Sequence, residues 1–203
     1  MKKYAVLHEP GDIVTLAGTR FVVLDVERRG SLPDSLFLLA LESVGASEFG
    51  SSNNYAESDL KKAVDKWLED MGKRGLDNAK LIPREIDLTT LDGSGCYGKL
   101  SVKAAPLTLD EAREYADIIP NAERWCWLAT GWSGPSKSDG DLALVVSSNG
   151  DWGNGYCSSS YGIRPALKIP SDLLLDSADK PDLSEVPTDT LLEEIRRRVV
   201  DKA

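Results

Sequence analysis

Histidine is almost missing from this chain: His8 is the only one in 203 residues. A Ser-His-Asp triad, a Cys-His pair or a multi-histidine metal site would all have to be built around that one side chain near the N-terminus. Read as ordinary structure, His8 is an exposed or hydrogen-bonded strand residue. Cysteine is nearly as sparse. Cys96, Cys126 and Cys157 form an odd set without C-x-x-C spacing. That pattern speaks against a disulfide framework and against zinc or thioredoxin-type chemistry. A single Cys126–Cys157 bridge is compatible only with a location outside a cell. No apolar run approaches the roughly 18 residues that a membrane span needs. Met1 to Pro10 carries two lysines with no apolar core behind them, so a secretory signal is not expected. The expected location is cytoplasmic, or within an assembled particle such as a virion. Basic residues are outnumbered, 24 Lys and Arg against 33 Asp and Glu, for a net charge of -9. Phosphate backbones repel such a chain, and its one basic cluster, Arg196-Arg197-Arg198, lies in a short amphipathic segment, so nucleic acid is not an expected partner.

What remains is enough for one substantial core or two small ones, with 41% hydrophobic residues. Asp12 to Leu16 and Arg20 to Asp25 read as two strands joined at Ala17-Gly18, a hairpin. Leu36 to Leu41 reads as a buried strand. Ser58 caps a helix whose apolar positions are Leu60, Val64, Trp67, Leu68 and Met71, ended by Gly72 or Gly75. Leu81-Ile82-Pro83 is extended. Thr108 and Glu111 form a capping box for a second helix, with Leu109, Ala112, Tyr115, Ala116 and Ile119 on its apolar face and Pro120 as its stop. A strand follows over Trp125 to Thr130, then a Gly/Ser loop from Gly131 to Asp141 and a strand over Leu142 to Val146. Ser147 to Gly155 reads as a turn, Tyr156 to Ser160 as β-compatible, and Ile163 to Ile169 as a last strand. The pattern implies an α+β domain over residues 1–170 with two helices and a small mixed or antiparallel sheet. An acidic linker is expected over 171–187 and a short helix over 188–203. In that helix Leu191, Leu192, Ile195 and Val199 share a face. It either docks on its own domain or joins copies of the chain through Thr190 to Val200, since three turns alone are marginal in water.

Several motifs reduce to ordinary structure. Asp92-Gly93-Ser94-Gly95 and Ser138-Asp139-Gly140-Asp141 resemble calcium-loop fragments but lack the late bidentate carboxylate, so both read as turns. Glu42 and Glu48 could share acid/base work only if folding brought them together. Gly153-Asn154-Gly155 lacks the lysine and the strand–loop–helix setting of a phosphate cradle. One longer constellation carries information. Trp132, Asn149, Asp151, Trp152, Asn154, Tyr156, Ser158, Ser160 and Tyr161 crowd consecutive loops and turns. Aromatic area combined with short hydrogen-bonding side chains is the composition of a binding surface. Within it Trp125 and Trp127 read as framework.

Tyr161-Gly162-Ile163-Arg164-Pro165-Ala166-Leu167 resembles the Gly-Val-Arg-Pro-Ala-Leu ending of a family of bacterial and phage domains. Asn54-Tyr55 with Ser58-Asp59-Leu60, Leu107-Thr108 with Glu111, and Trp125-Cys126-Trp127-Leu128 resemble further marks of that family, in the same order over residues 9–170. The family is similar to the C-type-lectin and formylglycine-generating-enzyme fold group, which includes retroelement-diversified variable proteins. The resemblance implies a C-type-lectin-like fold and a ligand face between Trp132 and Tyr161, with Gly162 and Arg164 as structural residues behind it. Arg164 would serve buried carbonyls or an acidic partner. The enzyme branch binds copper(I) through two nearby cysteines, whereas Cys157 stands alone in that region here. Lectin-type calcium motifs are also incomplete. The expected function is therefore a non-enzymatic module recognising a protein or a glycan, with no cofactor and no metal. A copper enzyme of the formylglycine-generating type, active or degenerate, and a structural particle component are the alternatives.

Overall fold

The computed structural model describes residues 2–4, 8–29 and 32–177. The predicted helix over 188–203, its role in self-association and all of the acidic linker beyond Ser177 lie outside the described residues. Among the described residues the chain is α+β with two α-helices and largely antiparallel sheets, as the pattern of elements implies.

The larger sheet has seven strands, all antiparallel. They are β1 (Lys2–Tyr4), β2 (Ile13–Leu16), β3 (Thr19–Arg29), β4 (Leu32–Ala40), β8 (Ala104–Ala105), β13 (Ala166–Pro170) and β14 (Leu174–Ser177), in the order β1-β14-β2-β3-β4-β13-β8. Ala17 and Gly18 both have positive φ, 47° and 76°, which the two-residue primed turn between β2 and β3 requires. The smaller sheet is mixed. Its order is β11 (Trp152–Tyr156), β10 (Leu142–Val146), β9 (Cys126–Gly131), β12 (Ser160–Gly162), β5 (Ala46–Glu48), and only β12 and β9 run parallel. A separate hairpin joins β6 (Arg84–Asp87) to β7 (Lys99–Val102).

Alternation along β3 and β4 sends side chains to two apolar layers. Phe21, Val23, Leu36 and Leu38 enter one, while Val22, Leu24, Phe37 and Leu39 enter the other. Both faces are buried, so these strands read as continuous apolar runs rather than alternating ones. Helix α1 (Asp59–Lys73) covers the first layer through Leu60, Val64, Leu68 and Met71. The Ser58 hydroxyl accepts from Lys61 N at 2.9 Å to cap it. At its far end Gly75 (φ 103°) donates to Gly72 O and Leu76 N to Met71 O, the paired bonds of a Schellman stop. Helix α2 (Leu109–Glu114) covers the second layer with Leu109 and Ala112 and carries the expected Thr108/Glu111 capping box.

Four expectations need correction. Helix α2 ends at Glu114, not near Pro120: Ala116 N and Ile118 N bond three residues back, to Arg113 and Tyr115, so the segment tightens into turns while Tyr115, Ile118 and Ile119 still pack on the second layer. The last expected strand starts late, at Ala166 instead of Ile163. β12 belongs to the small sheet and β13 to the large one, and Ile163-Arg164-Pro165 carries the chain between them. Leu174–Ser177, inside the stretch read as linker, forms β14 between β1 and β2. His8 is buried outside any strand, with Nδ1 3.3 Å from Asp12 Oδ2.

Candidate binding surface

The surface between Trp125 and Tyr161 is built on the β11 edge of the small sheet, which pairs only with β10 among the described residues. The segment expected to turn from Ser147 to Gly155 does so only as far as Asp151. Ser147 Oγ accepts from Asn149 N (3.1 Å) and Asp151 N (3.0 Å), and Gly150 takes φ 87°. This turn exposes Asn149 and Asp151. The chain then enters β11, whose register places Trp152 opposite Val146, Asn154 opposite Leu144 and Tyr156 opposite Leu142. Strand alternation therefore puts Trp152, Asn154 and Tyr156 on one face and Gly153 and Gly155 on the other.

The two glycines leave room for aromatic rings. A Cβ on Gly153 would stand 3.0 Å from the Trp125 ring, and one on Gly155 would stand 2.4 Å from the Tyr161 ring and 3.2 Å from Trp127. Tyr161 lies edge-on to Trp127 at 4.7 Å between centroids and tilted against Trp125 at 6.4 Å. The predicted ligand residues are thus divided between two faces of β11, with Tyr161 half-buried against the glycine side. Ser158 and Ser160 are exposed beside it, Ser160 pairing with Glu48 of β5.

The tryptophans separate differently from expectation. Trp127 is framework, 1% exposed, with Nε1 donating to Ser47 O at 2.9 Å. Trp125 precedes β9 instead of starting it and is 43% exposed, so it joins the surface. Trp132, expected free in a loop, is half-buried against the second apolar layer because its N–H continues the sheet by donating to Leu142 O. Among the described residues four large apolar side chains are exposed. Three of them, Trp125, Trp152 (45%) and Tyr156 (62%), sit on this edge.

Two residues form the clasp behind the surface. A Cβ on Gly162 would stand 2.8 Å from Cys126 Sγ and 2.9 Å from Ser43 Oγ, so the backbone passes too closely for any side chain. Arg164 is buried and donates from Nε to Ala40 O (3.0 Å) and from Nη1 to Pro120 O (3.1 Å). It ties the crossover between sheets to the end of the second helical segment. Burial pushes its pKa down from the usual arginine value.

Two buried groups have no local signature in the sequence. Asn53 donates to Ser133 O (2.8 Å) and Leu142 O (2.9 Å) and accepts from the Tyr97 hydroxyl (2.6 Å). Arg84 pairs with Glu111, donates to Ala105 O and Pro106 O, and lies 5.1 Å over the Phe37 ring. Glu42 is engaged by Arg20, not by Glu48. All three cysteines are free, and burial pushes Cys126 upward and Cys157 to about 12. Among the described residues no group of three or more His, Cys, Asp or Glu could hold a metal ion, and no helix is long and apolar enough to cross a membrane.

The loop from Ser133 to Asp141 is tied by a charge. Asp92 Oδ2 meets Lys137 Nζ at 2.6 Å, and Oδ1 accepts from the Thr90 hydroxyl and Ser94 N. Lys137 first and then Thr90 hold the Asp92 carboxyl well below its ordinary value of 3.8. A depressed carboxylate contributes stability that is complete above the ordinary value and is lost only as pH falls through the lower, folded one. The loop is therefore expected to stay tied through mildly acidic pH. An NMR titration of the Asp92 carboxyl carbon checks this, and a midpoint at or above 3.8 would contradict the pairing.

Comparison with protein family models, with curated proteins and with solved structures finds no match for this chain.

Proposed function

We propose that the protein is a non-enzymatic binding module with a C-type-lectin-like fold, which recognises a protein or a glycan through the β11 edge of its small sheet. The observation that carries this is the exposure of Trp125, Trp152 and Tyr156 together on that edge, three of the four large apolar side chains exposed among the described residues. Exposed aromatics on a rigid strand give contact area at little entropic cost, and clusters of them mark interaction sites. Asn149, Asp151, Asn154, Ser158 and Ser160 surround them with exposed hydrogen-bonding groups. The ordered motifs ending in Gly162-Ile163-Arg164-Pro165 support the fold. They also support a phage-associated or retroelement-diversified setting, in the cytoplasm or on a particle.

A glycan array and a display library screened with the wild-type chain and with a Trp152→Ala/Tyr156→Ala double variant test this. Because both side chains are exposed, the variant is expected to keep its fold. Any genuine ligand is expected to lose at least tenfold in affinity, the usual consequence of removing central aromatic contacts. Ligands that bind both proteins equally would reject the surface.

A further inference from the structure

A cavity of about 130 Å³ opens behind Trp152. Its walls include Leu107 and Ile119 from the α2 region, Leu128 of β9, Val146 of β10 and Trp152 itself, and Arg164 also lines it. The volume is about that which takes up one benzene ring. Arg164 does not belong in so apolar a wall unless something answers its charge. Two of its nitrogens serve backbone carbonyls, as described. Nη2 is shielded from solvent and has no hydrogen-bond partner among the described residues. No carboxylate pairs with the guanidinium among those residues. Glu42 attracts it only through space, and the Glu42 carboxylate is engaged by Arg20. Leaving a buried charge unpaired costs several kcal/mol in principle, and a donor without an acceptor adds to that.

We infer that this cavity binds a small apolar carboxylate, a single aromatic or branched aliphatic body whose carboxylate pairs with the Arg164 guanidinium that lines it. The walls answer the body, and the uncompensated cation answers the head group. Phosphate fits less well, because its additional oxygens would face aliphatic side chains. The inference goes beyond the macromolecular surface and does not require it.

Titration calorimetry of the full chain with benzoate, 4-methylpentanoate, toluene and inorganic phosphate tests it. Two variants accompany the wild type. Ala116→Phe fills the mouth of the cavity from an exposed position after α2 and is not expected to disturb folding. Arg164→Lys keeps the charge but loses the fork. At least one carboxylate is expected to bind one-to-one, with toluene and phosphate at least tenfold weaker. Ala116→Phe is expected to lower that affinity at least tenfold with the melting temperature preserved, and Arg164→Lys to lower it similarly if it folds. Failure of both carboxylates to bind would overturn the inference, leaving a water to satisfy Nη2. Toluene binding as tightly as benzoate, or benzoate binding unaffected by Ala116→Phe, would overturn it equally.

Discussion

Replacing Trp127 by alanine is expected to destabilise the protein by about 4 kcal/mol, the range found when a large aromatic leaves a packed core. The ring is 1% exposed and meets two others edge-on, Phe49 at 5.3 Å and Tyr161 at 4.7 Å. Its indole N–H also satisfies Ser47 O on β5, two strands away in the small sheet. Alanine removes the area, the ring contacts and that bond together, and leaves a hole that three elements border. Urea unfolding followed by circular dichroism measures the loss. Trp125→Ala is the matched comparison, because that ring is 43% exposed and is expected to change stability by no more than about 1 kcal/mol. Equal effects of the two substitutions would mean that the framework and surface roles are wrongly divided.

The consequence reaches the proposed binding edge. Tyr161 is held between Trp127 and Trp125 over the glycine face of β11, so losing Trp127 frees Tyr161 to fall inward. The aromatic edge is thus not a set of independent residues. Gly153 and Gly155 permit the rings to approach the strand backbone, Trp127 packs against Tyr161, and Trp152 and Tyr156 project from the opposite face. A ligand that contacts both faces must wrap the edge of β11, while one that contacts a single face uses only half of the residues that are neighbours in sequence.

How far this was legible in the sequence follows from which forces are local. The Ser58 cap, the Thr108/Glu111 box and the Ala17-Gly18 turn are set by residues within a few positions of each other, and they stand where the sequence places them. The faces of the tryptophans are not local. Trp125 and Trp127 alternate along one chain and share a side. One lies over the sheet edge and the other over its middle, and only the pairing order of β9 to β12 decides which is covered. The glycines from 150 to 155 read as turn formers because glycine is common in turns. At 153 and 155 they serve instead as a floor for rings that come from residues 125 and 161, a contact invisible to any short window. Ser171 to Ser177 read as linker from its Asp and Ser content, yet Leu174–Ser177 finds two partner strands near the start of the chain.

Asn53 is a case of a residue that local pattern could not single out, and its removal is expected to have the second largest effect. It is fully buried and occupies all three of its strongest hydrogen-bonding positions on separate segments: Ser133 in the loop after β9, Leu142 at the start of β10, and Tyr97 before β7. Gly131 passes so close that a Cβ there would stand 2.9 Å from the amide. Asn53→Ala removes three bonds and leaves the Ser133 carbonyl and the Tyr97 phenol without partners, while Leu142 O keeps only its bond from Trp132 N. At about 1 kcal/mol for each, the expected loss is about 3 kcal/mol. Hydrogen exchange is expected to show the Gly131 to Asp141 loop opening more often than the rest of the small sheet, since Asn53 pins both of its ends. Asn53→Asp sharpens the test. A carboxylate facing two carbonyl oxygens cannot donate to either, so its pKa in the folded state is raised above the unfolded value. A group with a raised carboxyl pKa is better tolerated when protonated, so this variant is expected to lose stability as pH rises through the carboxylate range, the reverse of Asp92. A denaturation midpoint for Asn53→Asp that is flat or rising from pH 4 to pH 7 would show that the side chain does not carry the bonds the fold assigns to it.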